Sequence, residues 1–251
     1  MEYETRNYHI HYGNKTIYGI FFLPKEKKKF PTVIISHGFG GTYQDNLNYA
    51  LDFIDQGIAS YSFDFCGGSL NSKSSHQTTE MSVLTQVQDL LEVIKAIKTM
   101  PFVNKKQLFL FGESQGGLVS ALVASLLKDD IKGLMLLYPA LNIPDNARNE
   151  YNHISAIPQQ FGLWGTPLGK CYYEDIYKLN VFKSIGHYLG PVIIFHGSHD
   201  ELVPVEYSKK AKQIYHNADL KIIDYVGHGF YGPISKKVAQ LMIQFISDFI
   251  S

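Results

Sequence analysis

Ser114 has a glycine two places before it and another two places after it, in Gly112-Glu113-Ser114-Gln115-Gly116-Gly117. The segment joins a short apolar run, Gln107 to Phe111, to a helix-like pattern, Leu118 to Ala124. A hydroxyl held on a sharp strand-to-helix turn is a nucleophile raised clear of the backbone. The apex of such a turn is strained, so neighbouring side chains must be absent to avoid clashes, and Gly112 and Gly116 meet that need. The helix that follows brings unpaired N–H groups to the same place, ready to bind a developing oxyanion. A small-residue turn that only packs a helix on a sheet uses the same residue types, so the other groups of an acyl-transfer site must be sought along the chain.

A serine hydroxyl needs a base, and the base needs an orienting acid. On strand–turn–helix scaffolds of this kind the acid and then the histidine follow the serine in the chain. The run Val192 to Phe195 leads into His196-Gly197-Ser198-His199-Asp200, which places Asp200 just past a strand end. Lys221 to Tyr225 leads into Val226-Gly227-His228-Gly229, where flanking glycines let His228 swing towards Ser114. Asp224 is a rival acid that precedes this loop, and Glu201 is a weaker one. The other histidines read differently. His9 and His11 sit in a hairpin, and His76, His153, His187 and His216 sit in loops or at element ends. His196 and His199 suit local hydrogen bonding, and His37 comes too early for the expected order. An oxyanion hole needs two backbone donors. Gln115 N–H is one, and Phe39 N–H, in His37-Gly38-Phe39-Gly40-Gly41, is the other. That glycine-rich loop lacks the G-x-G-x-x-G spacing and no Walker lysine follows, which excludes a dinucleotide or P-loop site. Cysteine and histidine spacing gives no zinc site, and no cofactor is implied.

These groups need a scaffold. Asn7 to Tyr12 and Thr16 to Phe22 flank Gly13-Asn14 and read as an N-terminal hairpin. Short, almost continuously apolar strands follow at Thr32–Ser36, Ala59–Phe63, Leu108–Phe111, Gly133–Leu137, Val192–Phe195 and Lys221–Tyr225. Helical patterns alternate with them at Leu47–Gln56, Val83–Met100, Gln115–Leu127, Glu206–Tyr215 and Lys236–Phe249. The alternation predicts one α/β domain over 1–251, with a mostly parallel central sheet flanked by helices. Ligands of such sheets bind beyond the carboxyl ends of the strands. Cys66 to Ser82 reads as one long loop. The stretch between Tyr138 and Val192 is far longer than an ordinary connection. It carries Tyr151, Phe161, Trp164, Tyr172, Tyr173, Tyr177 and Phe182, and residues 141–190 read as an inserted lid subdomain.

Composition narrows the function classes. Lys and Arg together number 23, as do Asp and Glu, so no charged field selects nucleic acid or a strongly charged partner. The basic run Lys25–Lys29 reads as a solvated loop. Two cysteines, Cys66 and Cys171, make no disulfide framework and fit a cytoplasmic address. The N-terminus has no apolar core of a signal peptide, and no apolar run reaches the ~18 residues of a membrane helix.

Together these residues resemble the α/β-hydrolase superfamily over nearly the whole chain, and within it the bacterial cinnamoyl (feruloyl) esterases. The resemblance rests on His37-Gly38-Phe39, Phe63-Asp64-Phe65, Gly112-x-Ser114-Gln115-Gly116-Gly117, Pro139-Ala140, Ile143-Pro144, His196-Gly197-x-x-Asp200 and His228. It implies Ser114, Asp200 and His228 as the triad, and Phe39 and Gln115 as oxyanion donors. It also implies that Asp145 and Tyr172, from the lid, hold the phenolic end of a substrate. Two positions depart from the pattern. Glu113 stands where the family often has histidine, and a carboxylate there disfavours an oxyanion unless it points into a hydrogen-bonded site. Cys66-Gly67-Gly68-Ser69 replaces Gly-His-Gly.

The expected activity is that of a serine carboxylesterase on small esters, hydroxycinnamoyl (feruloyl) esters among them. A thioesterase or a small serine peptidase would use the same triad, and a non-catalytic ligand-binding protein would use the same fold. A homodimer is compatible with the sequence, which does not select it.

Overall fold

A computed structural model of the chain describes residues 2–25 and 29–250, so most of the basic run Lys25–Lys29 lies outside the described residues. The first elements are β1 (Tyr3–Asn7), β2 (Ile10–Tyr12), β3 (Lys15–Ile17), β4 (Gly19–Pro24) and β5 (Phe30–Ser36). Then come α1 (Leu47–Ile54), β6 (Ala59–Phe63), α2 (Val83–Ile97), β7 (Val103–Glu113), α3 (Ser114–Leu127) and β8 (Gly133–Leu137). The long connection contains α4 (Ile143–Glu150), the hairpin β9 (Gln160–Leu163) and β10 (Thr166–Gly169), α5 (Cys171–Glu174) and α6 (Val181–Ile185). The chain ends with β11 (Val192–Gly197), α7 (Val205–Ile214), β12 (Ala218–Ile223) and α8 (Gly232–Ile250).

Eight strands form one sheet in the order β1-β4-β6-β5-β7-β8-β11-β12. The pairs β1–β4 and β4–β6 are antiparallel, and every pair from β6 to β12 is parallel. This is the α/β-hydrolase fold. The chain leaves β5 on one side to form β6 and returns on its other side as β7, so a crevice opens at their carboxyl ends. Alternate residues explain the two helix layers. Leu108 and Leu110 of β7 face the layer of α2 and α3, whereas Phe109 and Phe111 face α1 and α8. Helix α3 is buried along almost its whole length, from Gln115 to Ser125, because sheet, α2 and α6 enclose it.

The expected strands and helices are present with shifted bounds: Thr16–Phe22 is broken at Tyr18 into β3 and β4, β7 starts at Val103, and α8 starts at Gly232. Strand β1 was not predicted: every one of its residues is exposed at the sheet edge, so it carries no apolar alternation. β12 runs from Ala218 to Ile223, starting and ending earlier than the expected Lys221–Tyr225, because no residue of this edge strand is buried and its pattern is weak. The Gly13-Asn14 turn does join a hairpin, β2–β3, which forms a separate two-stranded ribbon. Buried Asp89 of α2 ties that ribbon down. It accepts hydrogen bonds from Tyr12, from Lys15 Nζ at 3.2 Å and from the Cys66 N–H at 2.8 Å. The 66–82 stretch is a loop broken by one 3-10 turn at Thr78–Glu80. Among the described residues no helix is long and apolar enough to cross a membrane.

Strands β8 and β11 are neighbours in the sheet; of the segment between them, α4, the β9–β10 hairpin and α5 supply cavity-lining residues, whereas α6 packs on α3 and α7. Trp164 and Gly165, both with positive φ (48° and 77°), make the two-residue turn of the β9–β10 hairpin. That backbone geometry matches the twist of the flanking strands. Trp164 as a residue is 69% exposed.

Candidate active site

Strand β7 passes directly into α3 at Ser114, whose φ of 48° lies in the left-handed region. The bend brings β7, α3 and the end of β5 together more closely than side chains would allow. A Cβ on Gly116 would stand 2.4 Å from the carbonyl oxygens of both Ser36 and His37, and one on Gly112 would stand 2.3 Å from the Gly116 carbonyl. The elbow expected from the glycine spacing is therefore present, and steric exclusion is its cause.

His228 reaches this turn from the loop after β12. Its Nε2 lies 3.1 Å from Ser114 Oγ, and its Nδ1 lies 2.7 Å from Asp200 Oδ2. With a carboxylate at Nδ1, that nitrogen carries the proton and Nε2 is left to accept from the serine hydroxyl. Asp200 sits in the loop after β11 with its side chain fully buried. Its Oδ1 accepts the N–H groups of Leu202 and Val203, both at 2.9 Å. Burial works against its charge, but hydrogen bonds from His196, His228 and the Val203 backbone outweigh it and hold the carboxyl well below the usual aspartate range. Asp224 and Glu201 are exposed.

His196 stands behind the acid and is completely buried. Its Nε2 lies 2.8 Å from the Val203 carbonyl and 3.2 Å from Asp200 Oδ2, so that nitrogen carries the proton. Nδ1 then accepts from Ser208 Oγ at 2.7 Å. The expectation of local hydrogen bonding for His196 matches this arrangement, but its direct support of Asp200 was not foreseen.

On the opposite side, the loop after β5 is fixed by His37. Its Nδ1 donates to the Gly38 carbonyl at 2.7 Å, and its Nε2 accepts the Phe65 N–H at 3.1 Å. Gly38 packs so near the nucleophile that a Cβ there would lie 3.3 Å from Ser114 Cβ. Phe39 and Gln115 thus flank Ser114, and both line the same cavity. Glu113 has its own hydrogen-bonded site. Oε2 accepts from Tyr138 Oη at 2.9 Å and Oε1 from the Gly38 N–H at 3.3 Å.

The cavity above Ser114 measures about 360 Å³. Its wall includes Phe39, Ile143, Leu163, Trp164, Tyr172, Tyr173, Tyr138 and Tyr231, with Asn142 and Asn146 as polar members. Glu113 and His228 are the ionisable groups among its charged-residue types, and no Lys or Arg lines it among the described residues. Of the two insertion residues expected at the substrate, Tyr172 lines this cavity. Its hydroxyl, however, donates to Gln115 Oε1 at 2.7 Å. Asp145 does not line it. Its carboxylate pairs with Arg148 and accepts from Tyr207 Oη at 2.6 Å, in a separate depression beside Lys210 and Phe182. The reason is helical phase. Ile143 and Asn146, three positions apart, are the α4 residues that line the cavity, and Asp145 lies off that face of the helix. Tyr138 and Gln86 also belong to the site and carried no sequence signal, because neither lies in a local motif.

The pattern of the family described as serine aminopeptidase, S33, matches residues 27–170, more than half of the chain. Among solved structures, the chain is similar to Est1E from Butyrivibrio proteoclasticus with ferulic acid bound. The identity is 26% and the TM-score 0.89, over 97% of this chain and 99% of that one. It shares its fold with acetyl xylan esterase 1 from Thermoanaerobacterium, at 16% identity and TM-score 0.73, over 100% and 89% of the two chains. It also shares its fold with a dienelactone hydrolase from Anabaena variabilis, at 15% identity and TM-score 0.72, over the full length of both chains. With an elbow serine beneath a sheet-edge cavity and a family pattern that covers more than half of the chain, the elbow included, the chain belongs to the serine aminopeptidase S33 family of α/β-hydrolases.

Proposed function

We propose that the protein is a serine carboxylesterase with Ser114 as nucleophile, His228 as base and Asp200 as the orienting acid. The observation that carries this reading is the continuous hydrogen-bonded line Asp200–His228–Ser114, 2.7 and 3.1 Å long, at the base of the 360 Å³ cavity. Ser114 Oγ attacks the ester carbonyl while His228 Nε2 takes its proton. Asp200 keeps the imidazole in the right tautomer and stabilises the imidazolium. The N–H groups of Phe39 and Gln115 receive the oxyanion. His228 then protonates the leaving alcohol, and water resolves the acyl-enzyme by the same route. Residues 141–190 act as the lid that supplies the acyl-binding wall.

For the acyl group, we favour a hydroxycinnamoyl or similar aryl chain. Aromatic rings dominate the wall, and Est1E, 26% identical, holds ferulic acid. Asn142 adds a polar contact. It is almost fully buried in the wall, and its Nδ2 donates to the Leu202 carbonyl at 3.0 Å while Oδ1 has no hydrogen-bond partner. A phenolic hydroxyl would supply one. Amide cleavage, which the family's description suggests, is the weaker reading. A peptide's ammonium terminus needs a free carboxylate, and Glu113 is engaged by Tyr138 and Gly38.

A panel of p-nitrophenyl alkanoates, hydroxycinnamate esters, thioesters and aminoacyl amides tests the assignment, with Ser114→Ala as control. Ester hydrolysis should fall on the order of 10⁴-fold or more in the variant. Unchanged hydrolysis in the variant contradicts the triad, and preference for short aliphatic esters contradicts the aryl pocket.

A further inference from the structure

Gln115 follows the nucleophile, and its side chain is as constrained as its backbone. The residue is 1% exposed. Its Nε2 donates to Gln86 Oε1 of α2 at 2.8 Å and lies 3.5 Å from Met81 Sδ. Its Oε1 accepts the Tyr172 hydroxyl at 2.7 Å. Burial pushes the Tyr172 phenol well above its ordinary titration range, so this hydroxyl keeps its proton and serves as the donor. In this orientation both ends of the Gln115 amide are partnered, while Gln86 Nε2 has no hydrogen-bond partner among the described residues. The ring of Tyr172 also meets the ring of Phe39 edge to face, with centroids 5.7 Å apart.

One residue of the insertion therefore touches both residues that border Ser114 on its oxyanion side. Its foot does not float above the core. Thr78 Oγ1 donates to the Pro167 carbonyl at 2.5 Å, and Ser82 Oγ donates to Asp175 Oδ2 at 2.5 Å. Gly169 lies so close to Thr79 that a Cβ would stand 2.0 Å from its carbonyl oxygen. The segment bearing Tyr172 is thus clamped to residues 78–82, just before α2, the helix that also supplies Gln86.

We propose that Tyr172 is a positioning residue of the oxyanion hole rather than a ligand for the substrate's phenolic end. Its one proton is committed to Gln115. Through that bond and its contact with Phe39, it holds both oxyanion donors in place. The inference rests on the esterase reading above, since it assigns a task within that site.

Tyr172→Phe keeps the ring and the Phe39 contact but leaves Gln115 Oε1 buried without a donor. Removing an oxyanion donor outright costs ~10²–10³-fold in kcat. Loosening one should cost about tenfold, with KM within about twofold, and by the same factor on acetate, butyrate and ferulate esters. Gln86→Met, which removes the acceptor at the other end of the amide, should give the same split without touching the cavity. Because both act through one amide, the double variant should lose no more than about twofold beyond either single one. Fluorophosphonate inactivation should slow in parallel, because phosphonylation also places charge in the hole. The proposal is overturned if Tyr172→Phe raises KM for hydroxylated cinnamates alone, or if Gln86→Met leaves kcat unchanged. Failure of the wild-type protein to take up the fluorophosphonate at Ser114 would instead overturn the esterase reading itself.

Discussion

The ring of Tyr138 lies against the imidazole of His228, with centroids 4.5 Å apart, while its hydroxyl donates to Glu113 Oε2 at 2.9 Å. Tyr138 follows β8 in a left-handed conformation, φ 34°, and its N–H is held by the Phe195 carbonyl at 2.7 Å. A single side chain thus packs on the proposed base and engages the residue before the proposed nucleophile. It answers the question raised by Glu113. That carboxylate takes its hydrogen bonds from Tyr138 and Gly38, and burial and Glu113 together push the Tyr138 phenol well above its ordinary value.

Tyr138→Phe should therefore leave kcat nearly intact but lower stability by about 1 kcal/mol. Tyr138→Ala should lower kcat by about tenfold or more, since the imidazole loses the surface that orients it. Thermal melts and ester kinetics on the two variants check this pair. Equal losses of activity would show that the hydroxyl, and not the ring, is what His228 needs.

Asp200 makes a pH-dependent contribution to stability. Its folded carboxyl titrates below the ordinary value because His196, His228 and the Val203 N–H favour the charged form against burial. A depressed folded value means that the contribution is complete above the unfolded aspartate value of ~3.9. It is lost progressively as the pH falls from there through the folded value. Asp200→Asn should remove that dependence and lower kcat by about 10⁴-fold. Denaturant melts of both proteins between pH 3 and pH 7 should give curves whose separation narrows only at the acid end.

Gly116→Ala tests the packing of the elbow. The added methyl would meet two backbone carbonyls that have no rotamer to yield. Overpacking of this kind costs about 3 kcal/mol, and relief can come only by moving the end of β5, which leads into His37 and Gly38. The variant should show a melting temperature about 6–12 °C lower and ester turnover reduced at least about a hundredfold. A variant with wild-type turnover would show that β5 and α3 are not as tightly apposed as these distances require.

What could be read from the sequence was local. The strained serine turn needs glycines at fixed offsets, so Gly112, Ser114 and Gly116 announce it. That Asp200 and His228 would stand near Ser114 could be read because each follows a strand, and parallel strands deliver their carboxyl ends to one edge. Asp145 and Tyr172 were harder. Their side chains are directed by partners on other elements, Tyr207 for Asp145 and Gln115 for Tyr172, and one step along α4 turns a residue by ~100°. Tyr172 does reach the cavity, yet its hydroxyl is spent on Gln115, a partner 57 positions away that no spacing rule links to it. Gln86 and Tyr138 stayed hidden for the same reason. The bonds that matter for them run between elements, whereas a motif records only what lies within one.

Mass spectrometry after reaction with a fluorophosphonate tests the central claim most directly. The account predicts one adduct per chain, on the peptide carrying Ser114. Labelling should be abolished in Ser114→Ala and slowed by orders of magnitude in folded His228→Ala. A folded wild-type protein that takes up no label, or takes it up at another residue while hydrolysing esters, would contradict it.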